Sequence, residues 1–140
     1  MSVAAALAPA APATAQDPLR VMIVDDAVVV RGLVSRWIDE EPDLKTVASL
    51  RTGREAVDQL LRHNPEVVLL DWNMPVMDGY DFLKALRKMP GGDAPKVVFC
   101  TTENDVAHIA RALSAGANEY IMKPFDKEIV EAKFQEVGLI

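Results

Sequence analysis

Five side chains in this sequence combine reactive types with a shared context, each closing a short apolar run. Asp25 and Asp26 follow Leu19 to Val24, and Asp71 follows Val67 to Leu70. Thr101 follows Val97 to Cys100, and Lys123 follows Tyr120 to Met122. One such acid would be explained by capping of the next helix; three acids, a hydroxyl and an ammonium are not. Crowded carboxylates repel one another and call for a cation. The donors are all oxygens, which selects a hard ion such as Mg²⁺ over Zn²⁺. Asp26 and Asp71 are the expected direct ligands. Asp25 would act directly or through water, and the backbone carbonyl of Asn73 would complete the set. An ion on one side and Lys123 on the other would clamp a phosphoryl group, whose transfer asks a protein mainly for positioning and charge neutralisation. A carboxylate oxygen of Asp71 would be the nucleophile, giving an acyl phosphate. Thr101 would hydrogen-bond a phosphoryl oxygen.

The chemistry requires these residues to meet, and the hydrophobic pattern supplies elements that would bring them together. Leu19 to Val24 reads as a strand, and Val30, Leu33, Val34, Trp37 and Ile38 then recur at helical spacing until Pro42. Leu44 to Leu50 is a second strand, with Val47 and Leu50 expected in the core. Thr52 and Glu55 have the spacing of a capping box for a helix carrying Ala56, Val57, Leu60 and Leu61, which Pro65 ends. Val67 to Leu70 is a continuous apolar run, as in a strand covered on both faces. Asp71 to Gly79 is a loop with Pro75 and Asp78-Gly79 as breakers. Phe82, Leu83 and Leu86 mark a third helix, closed by Pro90-Gly91-Gly92, and Val97 to Cys100 a fourth strand. Val106, Ile109, Ala110 and Leu113 mark a fourth helix capped by Gly116. Tyr120 to Met122 is a fifth strand. Asp126 caps a last helix whose Ile129, Val130, Phe134 and Val137 face inward. Five strands alternating with five helices imply an α/β architecture, a parallel sheet with helices on both faces. In open sheets of this kind sites form at the carboxyl ends of the strands, which is where all five side chains sit.

Composition narrows the function classes. Half of the 140 residues are hydrophobic and 26% are charged, an ordinary globular balance that favours one domain. The net charge is −6, without a run of Lys or Arg, so neither nucleic acid nor an anionic membrane is an expected partner. The single cysteine, Cys100, lies in an apolar run and is expected to be buried, in keeping with a reducing compartment. His63 and His108 fall on separate helices, so a His/Cys metal site is not expected. Residues 1–18 are Ala- and Pro-rich and read as a flexible tail ahead of a domain over 19–140. No basic residue follows Met1, and Pro9 and Pro12 interrupt the apolar stretch, so the tail lacks the pattern of a secretory signal.

Asp25-Asp26, the run from Asp71 through Trp72, Asn73, Met74, Pro75, Val76 and Met77 to Asp78-Gly79, Thr101, and Lys123-Pro124-Phe125 resemble the response-regulator receiver family. Each motif alone is weak; all of them in order, over about Leu19 to Val137, are specific. The resemblance implies the doubly wound, flavodoxin-like fold of the CheY type, with strand order 2-1-3-4-5. It implies a phosphorylation switch with Asp71 as acceptor, Asp25, Asp26, Asp71 and Asn73 holding Mg²⁺, and Thr101 and Lys123 assisting. The donor would be a histidine kinase, a phosphotransfer protein or a small acyl phosphate. The resemblance further implies a cis peptide between Lys123 and Pro124. Tyr120 would swing inward as Thr101 turns to the phosphate; the alternative for Tyr120 is a strand residue that simply fills space. Asn73 and Glu103, two residues beyond Asp71 and Thr101, would tune the phosphate lifetime.

The readout would be the face of the fourth helix, fifth strand and fifth helix, with His108, Arg111, Tyr120 and Lys133 as candidates. Asn73 and Glu103 point toward chemotaxis receivers, with a downstream protein such as the flagellar motor switch. Phosphorelay, phosphate-sink and cell-cycle or stress adaptor roles stay open. The expectation is a cytoplasmic protein, monomeric or dimerising on phosphorylation, that catalyses only its own phosphorylation and dephosphorylation. Two other classes remain. An aspartyl-nucleophile phosphatase would need a second acid where Asn73 stands. A phosphate-independent binding module would be marked by a missing acid, Thr or Lys.

Overall fold

The computed structural model describes residues 18–71, 78–101, 106–122 and 126–136, the side chains of 101 and 106–108 excepted. Ten elements alternate along the chain. They are β1 (Leu19–Val24), α1 (Val28–Asp39), β2 (Leu44–Leu50), α2 (Gly53–His63), β3 (Val67–Asp71), α3 (Gly79–Lys88), β4 (Lys96–Thr101), α4 (Val106–Ser114), β5 (Glu119–Met122) and α5 (Lys127–Glu136). The strands form one parallel sheet in the order β2-β1-β3-β4-β5. This is the doubly wound, flavodoxin-like arrangement expected from the sequence.

Strand alternation sorts the core into two layers. Val21, Ile23, Val67, Leu69, Val98 and Cys100 pack with Val34 and Ile38 of α1 and Val130 and Phe134 of α5. Met22, Val24, Val68, Leu70, Val97 and Phe99 face the other way, onto Ala56 and Leu60 of α2, Phe82, Leu83 and Leu86 of α3, and Ala112 of α4. The central strands are apolar at nearly every position because both faces are covered. Phe82, Phe99 and Phe134 are the largest fully enclosed side chains, and truncating such a residue to Ala typically costs about 3–5 kcal/mol.

Helix ends follow their capping chemistry. Thr52 Oγ1 accepts from Glu55 N–H at 3.1 Å. The Glu55 carboxylate instead sits 3.6 Å from Arg51 Nε, so Thr52 supplies the cap. Asn64 ends α2 in the left-handed region (φ 44°), its N–H donating to Leu60 O. Asp126 Oδ1 accepts from Ile129 N–H at 3.0 Å. Gly116, at φ 109°, follows α4 as expected. Asp78, read in the sequence only as a breaker, caps α3 by accepting from Asp81 N–H at 2.8 Å.

Several inward assignments are corrected. Leu33, Leu61, Leu113 and Ile129 are exposed, and each stands next to the residue that is buried instead: Val34, Leu60, Ala112 and Val130. On α4 the inward position belongs to Ala112, with Ala110 outward. One residue turns a helix by about 100°, so an apolar arc wider than the contact leaves its edge in water. Val47 is half-buried rather than core. Val21 pairs with Thr46 and Met22 with Ala48, so Val47 is the extra residue of a bulge in the edge strand. Val137 and the 1–17 tail lie outside the described residues.

Candidate phosphoacceptor and metal site

All strands run the same way, so the last residues of β1 and β3 and the turn after β1 share one rim. There the chain places Asp25, Asp26 and Asp71, each offering a carboxylate oxygen within 4.8 Å of the others. Asp25 and Asp71 are buried, 3% and 5% exposed, while Asp26 faces solvent. Beside Asp25 and Asp71 lies a small, partly open pocket of about 10 Å³, lined also by Val24, Val34, Leu69 and Cys100. Asp25 and Asp71 therefore border apolar side chains while Asp26 faces solvent.

Local structure holds each acid in place. Asp25 N–H donates to Leu50 O at 2.9 Å, extending the β1–β2 ladder past the strand end. Its Oδ1 accepts from Ala27 N–H at 2.9 Å, an Asx turn that starts α1 where Ala27 offers no side-chain cap. Asp71 is the last residue of β3, in register with Cys100 of β4. By alternation its side chain belongs to the α1 and α5 side of the sheet.

Three like charges this close repel by about 1 kcal/mol per pair in water and several times more at a protein surface. An octahedral Mg²⁺ with oxygens about 2.1 Å away holds them about 3–4 Å apart, so a spread of 4.8 Å needs only a small adjustment. The residues present fit such an ion.

Thr101 ends β4 beside Met122 of β5, on the same rim. Its side chain, together with Asn73, Glu103, Lys123, Pro124 and the Lys123–Pro124 peptide, lies outside the described residues, as does the side chain of His108. Of the expected readout residues, Tyr120 and Lys133 come together. Tyr120 is half-buried against the α2–α4 layer. Lys133 Nζ stands 5.5 Å from its ring centroid and 3.6 Å and 3.3 Å from Glu119 and Glu136. Burial opposes the Lys133 charge, but the carboxylates outweigh it and raise its pKa. Arg111 is placed apart, its guanidinium over the Tyr80 ring of α3 at 4.6 Å.

Sequence reasoning missed two contributors. Arg31 Nη1 donates to the Asp25 carbonyl at 2.6 Å, holding a guanidinium at the margin of the acids. No local sequence signal singles it out from other surface arginines. Gly79 is pressed against β3: a Cβ there would stand 2.3 Å from Asp71 O and 2.7 Å from Phe99. The glycine in Asp78-Gly79 is thus needed for close approach of α3 to Asp71.

Comparison with known proteins adds three findings. The family model for the response regulator receiver domain matches residues 21–135. A curated relative from Rhodopseudomonas palustris (strain HaA2), protein-glutamate methylesterase/protein-glutamine glutaminase, is 50% identical over 125 residues, covering 89% of this chain and 32% of the relative. The chain thus spans about a third of the length of the curated relatives it matches. Among solved structures, the response regulator domain of Thermotoga maritima CheB superposes with a TM-score of 0.76 at 29% identity, over 88% of this chain and 98% of that one. Vibrio cholerae chemotaxis protein CheY4 gives 0.79 at 28% identity, over 86% and 98%.

Proposed function

This chain belongs to the response regulator receiver domain family, and on that premise we propose that it is a phosphorylation switch in chemotaxis signalling whose acceptor is Asp71. The observation that carries the reading is the cluster of Asp25, Asp26 and Asp71 on one strand-end rim. Asp25, Asp26, Asp71 and the Asn73 carbonyl would hold Mg²⁺, which supplies charge neutralisation for the incoming phosphoryl group. Asp71, at the end of a rigid buried strand, presents a carboxylate oxygen to the phosphorus of a phosphohistidine on a kinase or phosphotransfer protein. Asp26 is exposed and Asp25 and Asp71 border apolar side chains, so a donor would approach from the solvent side. Lys123 and Thr101 would bind phosphoryl oxygens. Thr101 and Tyr120 on neighbouring strands would relay occupancy to the surface of α4, β5 and α5, with Lys133 beside Tyr120 as the first contact to respond. A partner reads the switch only through its differential affinity for the two forms.

The chain itself turns over no external substrate in this reading and works in the cytoplasm. Among the described residues no helix is long and apolar enough to cross a membrane. The curated relatives at 46–51% identity are protein-glutamate methylesterases, which supports an output coupled to a methylesterase-type activity. The test is intact mass after incubation with Mg²⁺ and acetyl phosphate, beside Asp71→Ala. A gain of about 80 Da, one phosphoryl group, in wild type only is expected. No gain with acetyl phosphate, and no binding of a beryllium fluoride mimic, would leave a phosphate-independent binding module. Hydrolysis of a chromogenic phosphomonoester would point instead to a phosphatase.

A further inference from the structure

A second concentration of charge lies in the other helix layer. α3 and α4 leave an open cleft of about 320 Å³ between them, lined by Tyr80, Lys84, Arg87, Lys88, Ser114 and Ala115. Lys84 Nζ and Arg111 Cζ each stand 4.6 Å from the centroid of the Tyr80 ring, so cations from two helices converge on one aromatic. Lys88, one turn beyond Lys84, is exposed. Arg87 is half-buried, and its donors are committed to neutral oxygens. Nε and Nη2 reach Gly116 O at 3.1 and 2.7 Å, Nη1 reaches Gly92 O and Pro95 O at 2.8 and 2.7 Å, and Nη2 reaches Asn118 Oδ1 at 3.2 Å.

Those oxygens fix the guanidinium without cancelling its charge. A partly desolvated cation whose acceptors are all neutral leaves its field in the cleft. Among the described residues the acids acting on these cations are Asp81, 3.8 Å from Lys84, and Asp93, which acts on Arg87 through space. Among the described residues, three cations lining the cleft and Arg111 beside it over Tyr80 face two acids, a local positive excess on a chain whose net charge is −6.

We infer that the α3–α4 cleft is a docking site for an acidic segment of a partner protein. Its carboxylates would seat on Lys84, Lys88 and Arg111, above the fixed charge of Arg87. Charge complementarity selects this occupant: a local positive patch steers and orients an acidic chain. The overall negative charge disfavours a long polyanion such as nucleic acid, which extends past the patch.

The test uses the full chain and a fluorescein-labelled hexaglutamate peptide, followed by anisotropy, with hexaglutamine as control. Lys84→Glu/Lys88→Glu is compared with wild type, and Asp71 labelling by acetyl phosphate is read separately. Neither lysine belongs to the acid site, so loss of docking and loss of phosphorylation are distinguishable. The expected result is hexaglutamate binding that weakens with added salt and falls about tenfold or more in the variant, with labelling unchanged. Lys84→Gln/Lys88→Gln, a milder change that keeps the fold safe, is expected to fall in the same direction by less. The inference is overturned if hexaglutamate fails to bind at low salt, if hexaglutamine binds equally, or if neither variant weakens binding. Tighter, lysine-dependent binding of a duplex oligonucleotide would overturn it in favour of a nucleic-acid site.

Discussion

The two ends of the same sheet treat buried charge in opposite ways. At the amino end Glu66, 7% exposed, sits just ahead of β3. It accepts from Arg20 N–H at 3.1 Å and faces the Arg20 guanidinium at 3.4 Å, while Arg20 Nε donates to Asn64 O. The Glu66 backbone also joins β1 to β4 through Arg20 O and Lys96 N–H. That carboxylate is neutralised and fastens the chain. At the carboxyl end Asp25 and Asp71 are buried as deeply and cluster with Asp26, with the Arg31 guanidinium held at the margin by the Asp25 carbonyl. Three carboxylates gathered at one strand-end rim have the donor set that suits a hard cation, whereas a single paired carboxylate suits a fastening.

Substitutions at the two ends test this difference. The largest effect is expected at Gly79, where a methyl group would collide with Asp71 O. Gly79→Ala should cost about 3 kcal/mol, the upper range for overpacking against backbone. A loss under about 1 kcal/mol in urea denaturation, no more than an average substitution, would mean that α3 can move off Asp71 and that the acid end is not held rigidly.

The same carboxylate-to-amide change should then have opposite signs at the two rims. Glu66→Gln should lower stability by about 1.5 kcal/mol, the low end for a hydrogen bond to a charged group, because Arg20 is a third exposed and solvent screens it. Asp26→Asn, measured in EDTA, should raise stability by about 1 kcal/mol, because it removes one of three repelling charges. With Mg²⁺ that advantage should shrink, since ion binding stabilises the wild type by mass action. Equal signs in EDTA would erase the distinction drawn between the two ends.

The smallest effect is expected away from both rims, where α5 meets α1. Lys127 Nζ lies 2.9 Å from Glu41. Hydrogen bonding to Lys127 lowers the Glu41 pKa, and hydrogen bonding to Glu41 raises that of Lys127. A lowered carboxyl contributes stability at neutral pH that is lost as pH falls through its folded value. A raised lysine contributes stability that is lost as pH rises through its folded value. Glu131, raised by its contact with Glu41, opposes the acid-side term. Lys127→Met should therefore flatten the stability profile slightly at both extremes, read from urea midpoints against pH. A steeper acid limb would show that Glu131, and not Glu41, dominates the clasp.

Much of the acid site was legible because its members close apolar runs, and a parallel sheet carries every run to the same rim. Asp25, Asp26 and Asp71 needed only that rule. Arg31 and Gly79 were not legible as site residues. Arg31 acts through one long side chain reaching a backbone carbonyl, and many surface arginines share its local pattern. Gly79 matters through what its missing Cβ would meet on another strand, a fact with no local signature. The helix stripes failed at their edges for the same kind of reason: Leu33, Leu61, Leu113 and Ile129 satisfy the period, but contact width decides which side of an apolar arc is covered.

The alternation of elements, the two-sided burial of the central strands and the chemical type of the site follow from local properties, periodicity and strand-end residue types, and are readable along the chain. Three-dimensional packing set the bulge at Val47, the pairing of Arg20 with Glu66 and the turn of Arg111 toward Tyr80. It also decided the meeting of Lys84, Arg87 and Lys88 with α4. Those outcomes depend on register between strands and spacing between helices, which are set by packing across long separations in the chain.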